Sequence, residues 1–245
     1  MREWIYGRNP VYETLVANRR HIFQLSVREG VKEKGRLTQI IRICNGKNIP
    51  VKQVNRQELD AISPNNQGVA IETGKYPYQN LEDILNLSNK QEEKAFILIL
   101  DSIQDPQNLG SLLRTAEIVG VHGVLLPLRQ TARVTPAVVS ASSGACEHLF
   151  MSQVNLSQAI KSLKNRGIWV IGLESSQEAQ TVAQIDLNIP LAFVVGGEES
   201  GMRALIRNSC DLLLKIPMKG KIESLNAAIA GSVALYLAWQ ARDFQ

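Results

Sequence analysis

Three short polar stretches, each following an apolar run, carry the residues of this chain able to do chemistry. They are Asn108-Leu109-Gly110-Ser111-Leu112-Leu113-Arg114, then Gly196-Gly197-Glu198-Glu199-Ser200-Gly201, then Ile216-Pro217-Met218 followed by Ser224-Leu225-Asn226. A fixed guanidinium such as Arg114 suits a phosphate or a developing oxyanion. Glycines in the second stretch let a ligand lie against the backbone. Glu198 is placed to bond Arg114 or a ligand hydroxyl. The apolar edge of the third stretch, with Met218, suits an aromatic ring, and Ser224 or Asn226 serves as N-cap or as substrate contact. Taken singly, each stretch also has a structural reading. Asn108 can be a helix cap, Arg114 a surface residue, and the second stretch a turn with solvated acids.

The elements around these stretches alternate. Ala95–Leu100 is a continuous apolar run of the kind that forms a strand buried on both faces. Leu109–Val119 reads as a helix ended by Gly120. Strands are expected at 123–126, 168–173, 191–195 and 212–216, and helices at 136–145, 156–165, 202–208 and 225–241. This alternation predicts an α/β fold with a mostly parallel sheet and helices on both faces. The polar stretches then lie in loops at the carboxyl ends of strands, where such sheets hold ligands. None contains Gly-x-Gly-x-x-Gly, which argues against an ordinary dinucleotide-binding dehydrogenase and for a cofactor held by another device.

Residues 1–74 read as a smaller αβαβαβ unit. Asn9-Pro10 predicts a helix start, Val11 and Leu15 its buried stripe, and Asn45-Gly46 a left-handed cap after a helix carrying Leu37, Ile40, Ile41 and Cys44 on one face. Residues 75–94 read as a linker with a turn or two of helix, and 95–245 as the second domain. The chain has 245 residues and a net charge of +4. Residues 1–74 hold 12 Lys/Arg against 7 Asp/Glu, so the positive excess lies in the first third. That asymmetry fits a nucleic-acid-binding module joined to a catalytic one, or a solvated basic surface. Cys44, Cys146 and Cys210 are too far apart and too few for a disulfide framework or a zinc site. His21, His122 and His148 form no spaced metal cluster, so no metal is expected. No apolar run reaches ~18 residues, and the first residues do not read as a signal peptide. A cytoplasmic protein without a membrane span is expected.

In their order and spacing, Asn-x-Gly-x-x-x-Arg, Gly-x-Glu-x-x-Gly and Ile-Pro-Met with Ser-Leu-Asn resemble the SpoU family of RNA ribose 2′-O-methyltransferases, of the SPOUT superfamily. The resemblance covers almost the whole chain. Tyr6-Gly7-Arg8-Asn9-Pro10-Val11 and Gln67-Gly68-Val69-Ala70 resemble the start and end of the family's substrate-binding domain, which is similar to ribosomal protein L30e. The resemblance implies S-adenosylmethionine as methyl donor, held in a C-terminal trefoil knot, a rare exception to the rule against threaded loops. It implies cofactor contacts at Gly196, Ile216 and Leu225, with Gly201 and Met218 beside them, and catalytic roles for Asn108, Arg114, Glu198 and Asn226. It implies RNA as partner and a homodimer, with Ala227, Ala228, Ala230 and Gly231 suited to close helix contact. The branch that methylates a guanosine of 23S ribosomal RNA is the nearest in pattern. Transfer-RNA methylation and non-catalytic RNA binding are the alternatives. Lys219-Gly220-Lys221-Ile222-Glu223 is more charged than is usual for the family, so Lys219 and Lys221 are either RNA contacts or solvated.

Overall fold

The computed structural model describes residues 2–129, 131–198, 201–222 and 224–244. Glu199 and Ser200 of the second polar stretch, and Glu223 of the third, lie outside the described residues. The chain forms two compact units, and the first is built from two separate segments: residues up to Pro77, and Arg133–His148.

In the first unit the order is β1 (Arg2–Tyr6), α1 (Arg8–Ala17), β2 (Ile22–Arg28), α2 (Arg36–Gly46), β3 (Val51–Val54), α3 (Arg56–Ile62) and β4 (Val69–Gly74). The sheet order is β1-β4-β2-β3. Strands β1 and β2 run antiparallel to β4, and β3 runs parallel to β2. Strand β1 is absent from the sequence expectation. Its alternation is half hidden, because Ile5 is buried while Trp4 and Tyr6, which face the other way, pack beside Val54, Leu59 and Ala70.

Two expected helix ends move. Gly7, not Asn9, is the N-cap of α1, at φ 90°. A proline three residues in costs nothing there, since the first-turn N–H groups have no helical partner. Gly46 stays inside α2, and the left-handed residue is Asn48 at φ 53°. Its neighbour Ile49 returns an N–H to the Cys44 carbonyl at 2.9 Å.

The second unit begins with α4 (Leu81–Gln91), β5 (Phe96–Asp101), α5 (Pro106–Ile118) and β6 (Gly123–Pro127). The chain then returns to the first unit for α6 (Pro136–Ala141). The second unit resumes with β7 (Met151–Val154), α7 (Leu156–Asn165), β8 (Trp169–Leu173), β9 (Gln180–Thr181), β10 (Leu191–Gly196), α8 (Ala204–Arg207), β11 (Leu212–Lys215) and α9 (Ala227–Ala241). Strand order is β7-β6-β5-β10-β8-β11-β9, and each neighbouring pair is parallel. The α/β fold with a parallel sheet follows from these runs. Strands β5, β6 and β10 are buried at every residue, as both faces are covered.

Residues 81–91 correct the linker reading. They form a full helix whose Ile84 and Leu85 enter the core of the second unit. A Cβ on Gly123 would stand 2.2 Å from Ile84 Cγ2, so α4 rests directly on the start of β6. No helix among the described residues is long and apolar enough to cross a membrane.

Residues 133–148 depart from the sequence expectation in another way. The sequence assigns them to the second domain, yet they pack on α1 and β1. Arg20, whose side chain is fully buried, grips Glu147 with two nitrogens, Nε to Oε2 at 2.9 Å and Nη2 to Oε1 at 2.7 Å. Its Nη1 donates to Glu3 and to the Gly74 carbonyl. Burial alone would lower the Arg20 pKa, but Glu147 and Glu3 outweigh it and the net direction is upward. Gly144, at φ 90°, passes so close to α1 that a Cβ would meet Glu13 Cβ at 2.6 Å. His148 Nε2 lies 2.9 Å from Glu13 Oε2, so the histidine's partner here is a carboxylate of α1. Burial pushes the Cys146 thiol up to about 12, leaving it inert.

Removing one partner of a buried charge pair strands the other. Glu147→Ala is expected to cost about 3–5 kcal/mol, and Glu3→Ala clearly less because Glu3 keeps some solvent. Urea unfolding of the two variants checks this order. Equal costs would mean that Glu147 is not the principal counter-charge.

Candidate active site

The ends of β5, β8, β10 and β11 and the start of α9 converge on one region of the second unit. A cavity of about 430 Å³ there is lined by Leu173, Glu174 and Ser175 after β8, Gly196, Gly197, Glu198 and Gly201 after β10, Ile216 and Met218 after β11, and Leu225 and Asn226 before α9. Every residue expected to hold a cofactor is in this wall: Gly196, Gly201, Ile216, Met218 and Leu225. The volume suits a small-molecule site. The lining is apolar on the Ile216, Met218 and Leu225 side, with carboxylates at Glu174 and Glu198.

Backbone proximity shapes the second loop. A Cβ on Gly196 would stand 2.3 Å from the Gly201 carbonyl carbon and the Met202 nitrogen. One on Gly197 would stand 2.7 Å from the Ser102 carbonyl oxygen. These glycines therefore serve the chain's own return, and not only a ligand as their sequence suggests. Gly197 and Gly201 exchange both N–H···O bonds, at 3.1 and 3.0 Å. Beyond them, the backbone N–H of Arg203 donates to Asp101 Oδ2 at 2.8 Å, and its Nε to Oδ1 at 2.7 Å. Asp101 ends β5 and is fully buried. The loop after β10 is thus pinned to the neighbouring strand.

Glu198 rises from this loop between two helix starts. Its Oε1 accepts from Asn108 Nδ2 at 2.7 Å and also from Asn226 Nδ2, and Asn226 Nδ2 reaches Asn108 Oδ1 at 3.1 Å. Asn226 is also the N-cap of α9, its Oδ1 accepting from the N–H groups of Ala228 and Ile229 at 2.9 and 3.1 Å. The cap turns the amide nitrogen outward and so aims it at Glu198. Both readings of Asn226 hold at once, cap and site member.

Asn108 is not a cap. Helix α5 begins two residues earlier, with Asp105 as N-cap accepting from the Gln107 N–H at 3.1 Å and Pro106 preset for the first turn. That frees the Asn108 side chain for Glu198. Arg114 lies under two turns further on and is exposed. It is not among the residues lining the cavity, and the bonds of Glu198 just described run to the asparagines. Lys219 and Lys221 are exposed.

Sequence reasoning missed Glu174 and Asp101. Glu174 follows β8 and is held by Arg207 Nε at 2.8 and 3.1 Å. The strand-end rule applied to residues 168–173 would have found it.

A second, more open hollow of about 750 Å³ lies between α5 and α9, with Ile229, Val233, Tyr236, Leu237 and Phe244 on one side and Ser111 and Thr115 on the other. Ile229 and Tyr236 are 54% and 45% exposed. The small residues of α9 are used partly within the chain: a Cβ on Gly231 would press Leu112 Cδ1 of α5 at 2.7 Å. Among the described residues no group of three or more His, Cys, Asp or Glu is placed to hold a metal ion.

The chain resembles known proteins along nearly its whole length. The family model "SpoU rRNA Methylase family" matches residues 95–236, and "RNA 2′-O ribose methyltransferase substrate binding" matches residues 4–79. The Bacillus subtilis protein YacO, assigned by name to the TrmH family of tRNA/rRNA methyltransferases, is 37% identical over 98% of this chain and 96% of its own. A namesake from Staphylococcus saprophyticus is 35% identical over 98% and 96%. Among solved structures, the SpoU methyltransferase AviRb of Streptomyces viridochromogenes, crystallised with AdoMet, superposes with a TM-score of 0.82 at 22% identity, over 100% of this chain and 92% of that one. An AdoMet-bound rRNA methyltransferase of Sinorhizobium meliloti gives 0.81 at 23%, over 98% and 87%. At these identities the likeness is one of fold.

The double duty of Asn226 is separable by substitution. Asn226→Ala is expected to cost about 1 kcal/mol through the lost cap. Asn226→Asp keeps an acceptor for the cap but sets a second carboxylate against Glu198. Like charges raise the folded-state pKa of the pair, so this variant's stability deficit grows as pH rises through that pKa and is relieved below it. Urea unfolding from pH 4 to pH 8 reads both effects. A pH-independent deficit would break the Asn226–Glu198 link.

Proposed function

Because the chain belongs to the SpoU family of RNA methyltransferases, we propose that it transfers a methyl group from S-adenosylmethionine to a ribose 2′-hydroxyl, on a guanosine of 23S ribosomal RNA. The observation that carries this reading is Glu198 held between Asn108 and Asn226 at the wall of the cavity lined by Gly196, Ile216 and Leu225. The cavity fits the cofactor: Ile216, Met218 and Leu225 offer apolar surface to an adenine, and Glu174 and Glu198 offer negative charge to a sulfonium. When bound, S-adenosylmethionine supplies an electrophilic methyl group. Gly196, Gly201 and Met218, all in the cavity wall, would help to hold it there. The trefoil knot implied by the sequence resemblance belongs to the same proposal.

The residues of the chain then act by positioning and by charge. The accepting oxygen has to lie in line with the methyl carbon, opposite the sulfur, and fixed geometry supplies much of such a rate. Asn108, Glu198 and Asn226 form a rigid polar rim that orients the ribose. A guanidinium does not give up its proton in a protein, so Arg114 is not the base, and the hydroxyl proton leaves to water. It stabilises the developing alkoxide and grips the adjacent phosphate. A non-catalytic RNA binder would have no use for the cavity and its rim together. Transfer RNA is the second reading of the target, favoured by a likeness to an A. aeolicus TrmH/SpoU tRNA-modifying enzyme at 27% identity over 67% of this chain, TM-score 0.56.

The proposal includes a homodimer formed through the apolar face of α9, where Ile229 and Tyr236 are exposed. Tyr236→Asp is expected to halve the mass seen by analytical ultracentrifugation, and a monomeric wild type would refute the dimer. The reaction itself is tested by calorimetric titration with S-adenosylmethionine and by mapping 2′-O-methyl positions in RNA from cells with and without the protein. The expected result is one lost position, in 23S rRNA. Loss in a transfer RNA would move the substrate, and no cofactor binding would sink the activity. Arg114→Lys is expected to lower kcat by about 10²-fold, the scale of one lost oxyanion donor.

A further inference from the structure

The cavity lined by Gly196, Ile216 and Leu225 has carboxylates at Glu174 and Glu198, and they are paired differently. Glu198 is held by the neutral amides of Asn108 and Asn226. Glu174 is held by a guanidinium. Arg207 Nε reaches Glu174 Oε2 at 2.8 Å and Oε1 at 3.1 Å, and its Nη2 reaches Glu178 Oε2 at 2.9 Å. We propose that Glu174, set in place by Arg207, accepts the two ribose hydroxyls of the cofactor's nucleoside. This assignment rests on the reading of the cavity as the S-adenosylmethionine site.

Strand β8 lies between β10 and β11 in the sheet. Glu174 follows β8 directly, so it emerges between the loop that carries Gly196 and the one that carries Ile216. Its backbone N–H donates to the Leu214 carbonyl of β11 at 3.0 Å, which seats the residue on the end of the sheet. In the turn that follows, the Ala179 N–H donates to the Ser176 carbonyl at 3.2 Å. Arg207, at the end of α8, clamps this turn through Glu174 and Glu178. It is not among the residues lining the cavity. The Glu174 side chain stays 28% exposed, so the clamp holds it without sealing it.

A carboxylate accepts at about four lone-pair sites, two on each oxygen. Arg207 takes one on each oxygen of Glu174, which leaves one on each for a pair of neighbouring hydroxyls. The guanidinium offsets most of the charge a ligand would feel there, so a cation gains little at Glu174. A hydroxyl still gains a directional, charge-assisted bond. Acidic side chains near strand ends do this for a nucleotide ribose in other open α/β sheets. Glu198, bonded by amides that carry no charge, keeps its field for the sulfonium. The cavity is acidic as a whole, with its two carboxylates assigned to different ends of one ligand.

The test titrates the full chain calorimetrically with three ligands. S-adenosylmethionine carries ribose, amino-acid tail and sulfonium. S-adenosylhomocysteine lacks the sulfonium charge, and 5′-methylthioadenosine lacks both that charge and the tail. Glu174→Gln is expected to weaken all three by a similar factor, about 10- to 100-fold. A loss confined to S-adenosylmethionine would assign Glu174 to the sulfonium, and one that spares 5′-methylthioadenosine would assign it to the tail. Either overturns the proposal, as does unchanged binding of all three. The ratio among ligands does not depend on how much of the variant is folded. Glu174→Asp, which keeps the charge but withdraws it, is expected to show the same pattern. Arg207→Gln is expected to weaken 5′-methylthioadenosine, and the double variant to bind it no more weakly than Glu174→Gln alone, because a positioning residue acts through the one it positions. Additive losses would overturn that role of Arg207. If wild type binds none of the three, the cofactor reading itself fails and this proposal falls with it; if wild type binds and Glu174→Gln binds equally, only the proposal falls.

Discussion

No atom larger than hydrogen fits on the Cα of Gly196 or Gly197. That steric constraint governs the site. It lets the chain leave β10, bridge back on itself from Gly197 to Gly201, and pass Met202 directly over the strand end. The return brings Arg203 onto the buried Asp101, which fixes the loop to β5. With both ends of the loop held, Glu198 is presented upward between α5 and α9. A carboxylate on a free loop would cost entropy at each contact; here that cost falls on the fold and not on the ligand.

The polar rim shows how capping and function share residues. Asp105 and Pro106 start α5 early enough that Asn108 falls inside the first turn with its side chain unspent. Asn226 caps α9 with its oxygen and keeps its nitrogen for Glu198. The geometry of the amide makes these two tasks compatible, because one end of the planar group fixes the direction of the other.

Much of this is legible in the sequence. Buried parallel strands announce themselves as continuous apolar runs, which is why β5 and β10 fall within a residue or two of their expected bounds. The order of the three polar stretches is enough to bring Gly196, Ile216, Leu225 and Asn226 into one wall. Local signals fail where two partners compete. Asn108 and Asp105 are both good caps, and only the proline between them decides. The linker reading of residues 81–91 fails because their polar face is long and their buried face is just Ile84, Leu85 and Ser88. The assignment of residues 133–148 fails for a different reason. Nothing local to Glu147 says that its counter-charge stands at Arg20, since long-range pairing leaves no periodicity to read.

That last pairing has a consequence in the order of synthesis. A chain made from the amino end exposes Arg20 long before Glu147 exists, because 127 positions separate them. During that interval the first sheet can form, but its arginine has no interior to enter. The first unit therefore matures only after β5, α5 and β6 of the second have been made. A boundary drawn at the end of β4 would cut out a fragment that is continuous in sequence and incomplete in structure. The amino-terminal unit is the first to be started and not the first to be finished.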